Sequence, residues 1–169
     1  MLPKSVFAAG ILTFLLATTA PQPSAKAGPP GPTIVDVAVT VNNITGNFDT
    51  LIAALLAADP AVLETLSGNG QHTVFAPTDE AFAAIGLDET NVDTLPQGTL
   101  TNILLYHAAN GRRDSNDVTS SKQIRMLNRQ FTQITVDASG AFIDDAKIVL
   151  VDVLAANGII HVIDEVLMP

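Results

Sequence analysis

Thr73-Val-Phe-Ala-Pro-Thr-Asp-Glu-Ala-Phe82 and Gly158-Ile-Ile-His-Val-Ile-Asp-Glu-Val-Leu-Met-Pro169 are the two stretches that decide how this chain folds. In the first, His72 to Ala76 is rich in Thr, Val and Phe, which predicts a strand. Pro77 has no N–H for a ladder and stops it, and Thr78 then caps a helix through Ala81, Phe82 and Ile85. Asp79 and Glu80 fall in the first helical turn, where the positive end of the helix dipole favours carboxylates. Both acids therefore read as structural. In the second stretch, Ile159 to Ile163 predicts a strand, entered through Asn157-Gly158, the strongest short hairpin signal in the chain.

Working outward, Ile34 to Val39 suits a short helix or a strand, which periodicity alone does not separate. Phe48, Leu51, Ile52, Leu55 and Leu56 recur at helical spacing, with Asn47 before them as the expected N-cap. Asp59-Pro60 restarts a short helix, with Pro60 at the position where a missing N–H costs nothing, and Gly68-Asn69-Gly70 ends it. A further helix is expected from Thr99 through Tyr106, with Leu100, Ile103, Leu104 and His107 on its apolar side. Strand-type units follow at Val118 to Ser120, Ile124 to Leu127, Phe131 to Val136, Ala141 to Ile143 and Lys147 to Val153. Turns are expected at Ser139-Gly140 and Asp144-Asp145. Helices first and hairpin-linked strands later predict an α+β domain with mainly antiparallel pairing.

Residues 1–27 read as a secretory signal peptide: Lys4 supplies the positive start, Val6 to Ala17 the apolar stretch, and Ala25-Lys26-Ala27 a small-x-small cleavage site. The apolar stretch is shorter than the roughly 20 residues needed to span a bilayer, so no transmembrane anchor is expected in the mature chain. Residues 28–33 continue a Pro, Gly, Ala and Ser tract that begins at Pro21 and reads as a flexible lead-in; residues 34–169 form the domain. Losing 27 of 169 residues leaves 142, enough for one well-filled core. With no cysteine, disulfides, thiol catalysis and zinc–thiolate sites are excluded.

The signal segment carries Lys4 and Lys26 but no acid, so 8 basic residues fall to 6 against 17 acidic ones, a net charge of −11. That balance speaks against nucleic acid as a partner, because phosphate binding needs local cations. Five of the six, Arg112, Arg113, Lys122, Arg125 and Arg129, lie within 18 residues. They read either as a solvated rim or as one docking patch for an anionic partner on a repelling surface.

A non-enzyme is expected. The sequence has no G-x-S-x-G elbow, no H-E-x-x-H, no phosphate-binding loop and no dinucleotide fingerprint. His72, His107 and His161 sit on separate elements, and on an extended strand His161 and Asp164 point to opposite faces, so neither a catalytic cluster nor a metal site is expected. Asn43-Ile44-Thr45 matches the N-glycosylation pattern, relevant only in a eukaryotic secretory pathway and otherwise a loop before a helix.

The two opening stretches resemble the signature boxes of the fasciclin (FAS1) domain. Leu105-Tyr106-His107 followed by Gly111 resembles the Tyr-His motif between them, and Met126-Leu127-Asn128 with Ile134-Thr135-Val136 resembles the strand region beyond. The resemblance covers residues 34–169. It implies a wedge of two mainly antiparallel β-sheets flanked by several α-helices, and a secreted or periplasmic adhesion module that binds a protein, matrix or polysaccharide partner. It also implies partner contact at the Tyr-His motif, linked in the family to integrin binding, and no cofactor. The chain departs from the family at Asn110, where many members have proline before the glycine, and at Arg129, where a glycine often stands.

The expected partner-binding residues are accordingly Leu104, Leu105, Tyr106, His107, Asn110, Gly111, Arg112 and Arg113, with Arg125 and Arg129 from the basic stretch. For Tyr106 and His107 burial with satisfied polar tips is the competing reading. Resemblance to carotenoid-holding relatives adds an alternative, a hydrophobic small molecule carried in an apolar groove between helix and sheet; 47% hydrophobic residues are compatible with it.

Overall fold

The structure is a computed structural model that describes residues 30–169. The expected signal peptide lies outside the described residues, as do the first two residues of the lead-in. Five helices precede or interrupt the early strands: α1 (Ile34–Thr45), α2 (Asp49–Ala57), α3 (Pro60–Ser67), α4 (Asp79–Ala84) and α5 (Gln97–Tyr106), with a 3-10 turn at Val92–Thr94. The strands are β1 (His72–Pro77), β2 (Ala108–Asn110), β3 (Gln123–Arg125), β4 (Phe131–Asp137), β5 (Gly140–Ile143), β6 (Ala146–Ala155) and β7 (Gly158–Ile163), and a sixth helix, α6 (Ser115–Ser120), separates β2 from β3.

The hydrogen-bonded order is β2-β1-β7-β6-β5-β4-β3. Among the described residues β1 and β7 alone pair in parallel, and every other strand pair is antiparallel. The α+β class is as expected. The two sides of the wedge are one ladder folded over along β6, whose pairing with β7 slips between Ile148 and Leu150 and again between Leu150 and Val153. Such bulges bend a strand and increase its twist. The fold brings the two outer edges, β2 and β3, back together at an Ala109–Met126 bridge.

All six residues of β1 and all six of β7 are buried, so both strands need apolar cover on two faces. Val74, Ala76, Ile160 and Val162 pack against Leu51, Leu55, Leu66, Leu100 and Leu104 of the helices. Phe75 and Ile163 face the other way, into a second core with Tyr106, Val118, Ile124, Met126 and Ile143. The period-two alternation of a strand thus feeds two cores from one central pair.

The helix ends explain where the sequence reading was right and where it was not. Asp59 caps α3 by accepting the Ala61 N–H at 2.9 Å, with Pro60 in the first turn. α1 settles the ambiguity at Ile34 as a helix: Thr33 and Asp36 form a reciprocal capping box, although composition assigns Thr33 to the lead-in. The sequon Asn43-Ile44-Thr45 is the last turn of this helix rather than a loop. Asn47 does not cap α2. The Asp79 carboxylate does, accepting the N–H groups of Asp49 at 3.1 Å and Thr50 at 2.8 Å from 30 positions away. Val118 to Ser120 is corrected from strand to helix. The Asp114 carboxylate accepts the Asp117 N–H at 2.9 Å and starts α6, an option β-branched content alone does not reveal.

The β6–β7 hairpin turns on Ala156-Asn157, because Ala155 pairs with Gly158. Asn157 is fully buried and ties three elements: its Oδ1 accepts the Ile34 N–H at 2.8 Å, and its Nδ2 donates to Leu66 O at 2.7 Å and Gly68 O at 2.9 Å. Gly158 is needed for closeness rather than for turn geometry, since a Cβ there would lie 1.9 Å from the His72 carbonyl oxygen. Replacing Asn157 by Ala orphans one amide and two carbonyls, each worth about 1–3 kcal/mol when buried. Urea denaturation of Asn157→Ala should therefore show a loss of at least ~3 kcal/mol; a loss below ~1 kcal/mol would mean that this anchor is dispensable.

Candidate cationic groove

The apolar face of α5 buries Leu100, Ile103 and Leu104, and the chain then enters the second core at Tyr106. The Tyr106 hydroxyl donates to Asp144 Oδ2 at 3.0 Å and lies 3.4 Å from the Phe131 carbonyl. Burial, reinforced by the hydrogen bond to Asp144 and its charge, pushes the phenol up to about 12, so it stays a neutral donor. Asp144 is the turn residue expected between β5 and β6, at φ 50°, and its other oxygen accepts the Gln133 N–H at 2.7 Å.

His107 is buried at 2% exposure. Its Nδ1 is 2.8 Å from the Ile103 carbonyl, and its Nε2 accepts the Leu167 N–H at 2.9 Å, so the neutral ring with the proton on Nδ1 satisfies both partners. His107 thereby fastens the C-terminal segment to α5. Of the expected contact residues, Leu104, Tyr106 and His107 lie beneath the surface and Leu105 is half-buried.

The next segment climbs out along β2 and reverses at Gly111, whose φ of 88° is a left-handed conformation that glycine adopts without strain. Two buried groups on the central strands then hold the loop. The Thr73 hydroxyl donates to Gly111 O at 2.8 Å and accepts the Arg113 N–H at 2.9 Å, while His161 Nε2 donates to Arg113 O at 3.0 Å. His161 Nδ1 accepts the Asp152 N–H at 3.3 Å, and its ring stacks on Phe75 at 5.5 Å. Burial holds its pKa below the ordinary histidine value. Asp152 accepts both the N–H and the hydroxyl of Ser115 and docks the start of α6.

From this support three arginines converge. Asn110, Arg113, Arg125, Met126, Leu127 and Arg129 line an open groove of about 400 Å³, at the place where edge strands β2 and β3 meet. Among the described residues no carboxylate forms an ion pair with these arginines, and Arg113 Nε is buried without a hydrogen-bond partner. Arg129 holds φ at 73°, in the left-handed region, although it carries a side chain. Its N–H donates to Met126 O at 3.0 Å, and Asn128 Oδ1 accepts the Gln130 N–H at 3.0 Å to shape that turn. Arg112 does not join the groove: its guanidinium reaches toward Ala155 O at 3.5 Å.

The sequence already groups Asn110 and the three arginines among the expected contact residues and offers the clustered cations as one docking patch. Sequence reading missed Met126 and Leu127 as the groove floor, and Thr73 and His161 as the loop's supports; no local pattern marks these roles. Among the described residues the apolar groove expected of a small-molecule carrier is not met between helices and sheet. The cavities there, beside Phe48 and Val153 and beside Leu55 and Leu104, offer about 10 and 20 Å³, water-sized spaces at most. Among the described residues no group of His, Asp and Glu is placed to hold a metal ion, and no single helix is long and apolar enough to cross a membrane.

Burial holds the His107 pKa at about 4, against an ordinary 6.5. The unfolded chain therefore takes up this proton first as pH falls: the stability is complete above pH ~6.5 and drains between there and pH ~4, by up to about 3 kcal/mol. His72 and His161 shift in the same direction. A pH series of NMR spectra should show the His107 ring still neutral at pH ~5; a midpoint near its ordinary value would contradict this burial.

The Fasciclin domain family model matches residues 46–169. The chain is 39% identical over 139 residues to Protein sll1483 of Synechocystis sp., covering 81% of this chain and 73% of that protein. It is 33% identical over 141 residues to transforming growth factor-beta-induced protein ig-h3 of Sus scrofa, across 83% of this chain but 20% of that much longer one. In fold it resembles the FAS1 domain pair of the insect cell adhesion molecule Fasciclin I, with a TM-score of 0.58 at 20% identity over 73% of this chain and 46% of that one. With boxes, topology and matched span in agreement, this chain belongs to the fasciclin domain family.

Proposed function

We propose that the chain is a secreted or periplasmic, non-enzymatic adhesion module that binds a protein, matrix or polysaccharide partner through the surface around the cationic groove. The observation that carries this reading is the convergence of Asn110, Arg113, Arg125 and Arg129 on a rigidly held loop of a strongly acidic chain. Family membership supports the adhesive role: one fold relative is a cell adhesion molecule by description. The ten residues named from the sequence then divide their work. Asn110, Gly111, Arg112, Arg113, Arg125 and Arg129 reach the partner, Leu105 borders them, and Leu104, Tyr106 and His107 hold the loop in position from below.

This division is testable with surface-immobilised protein and cells or envelope from the native source. Arg125→Gln combined with Arg129→Gln should lower attachment about tenfold, the effect of losing roughly 1.4 kcal/mol of binding, with an unchanged circular dichroism spectrum. Tyr106→Phe should cost about 1 kcal/mol of stability through its lost hydrogen bond and leave attachment intact. Undiminished attachment by the folded double arginine variant would remove the groove from the adhesive surface.

A further inference from the structure

We propose that the groove binds an acidic polysaccharide, its arginines taking the uronate carboxylates or sulfate esters while the exposed ring of Phe131 packs against a sugar face. The inference deepens the adhesive reading and rests on it. Every cation lining the groove is arginine, whose planar fork matches carboxylate and sulfate oxygens two at a time, as the point charge of lysine does not. None of the three is neutralised by a carboxylate of the described residues, and Arg113 Nε is already stripped of water without a partner. Such a donor lowers the cost of bringing an anion in, because its own desolvation has been met by folding.

Arg129 is presented by a short, well-bonded turn: the Met126 N–H donates to Gln130 O at 2.8 Å and the Arg129 N–H to Met126 O at 3.0 Å, a three-residue loop whose last residue takes the left-handed conformation. Phe131 stands opposite Arg125 in the β3–β4 register and is 57% exposed, so an apolar ring and a guanidinium share one face of the sheet. That pairing suits a polymer with both C–H faces and acid groups.

The edges argue against an extended acidic peptide as the occupant. Adding a strand needs a run of free backbone groups, whereas β2 and β3 span three residues each and meet each other at Ala109 and Met126. Recognition must then come from side chains. The remainder of the molecule is acidic and repels anions, but at physiological salt that field fades within about 8 Å, so a local cluster can still capture a polyanion.

The test is affinity electrophoresis of the mature chain through gels containing polygalacturonate, dextran sulfate, neutral dextran or poly-glutamate. We expect retardation by polygalacturonate or by dextran sulfate, whichever is stronger naming the acid group, and none by neutral dextran. Arg125→Gln and Arg129→Gly should each weaken binding about tenfold, Phe131→Ser should weaken polysaccharide binding, and Lys122→Gln, outside the groove, should change nothing. Arg129→Gly doubles as the folding control. Glycine relieves the left-handed conformation, so this variant should melt at or above the parent temperature while losing its ligand. Equal retardation by poly-glutamate, retardation by neutral dextran, or none by either acidic polysaccharide would each overturn the proposal. If polysaccharide binding is absent while arginine-dependent attachment persists, the adhesive reading survives and only the ligand class falls.

Discussion

The structure depends on the parallel pairing of β1 with β7, in which Phe75 lies beside His161 and the two rings stack. These strands come from stretches of sequence far apart, and each is buried on both faces. Their pairing has a steric condition: Gly158 must lack a side chain where the His72 carbonyl passes. Once it is made, one face organises the helical layer and the other the interior of the folded sheet. An antiparallel hairpin cannot generate this arrangement, because parallel neighbours need a long connection, and here that connection contains most of the domain.

The same two strands position the surface implicated in function. Thr73 and His161 are buried polar groups that grip the loop from Gly111 to Arg113, the Thr73 hydroxyl bonding Gly111 and Arg113 and His161 Nε2 donating to Arg113 O. Buried polar groups in such a place are expensive unless satisfied, so they specify one loop conformation rather than many. β2, which leads into this loop, meets the far edge of the sheet at Met126 because β6 bends the ladder over. Rigidity here comes from the core, and the arginines are its outward expression.

Legibility in the sequence followed the range of the physics. Pro77, Asp59-Pro60 and the Asp144 turn act on their immediate neighbours, and each was placed correctly. Asn157 was recognised as a hairpin residue, but its grip on α1 and α3 was not, since those partners lie 123 and about 90 positions away respectively. Distance also explains the error at Asn47, whereas the helix at Val118 to Ser120 begins at a local cap, Asp114 on the Asp117 N–H, that the β-branched residues masked, and only its tether is remote. Asp79 caps α2 across about 30 residues, and Asp152 tethers α6 from 37 away. Tyr106 and His107 were named as contact residues on the Tyr-His motif, with burial and satisfied polar tips as the competing reading, and tertiary packing put both inside.

What the sequence determined by itself was the family-like succession of strand, brake, cap and closing strand, because each of those devices is complete within a few residues. It also determined that the cations are few and clustered. Only the tertiary structure decided which of them share a groove. Arg113 stands on one edge of the ladder and Arg125 and Arg129 on the other, and edges become neighbours only when the sheet folds over and closes.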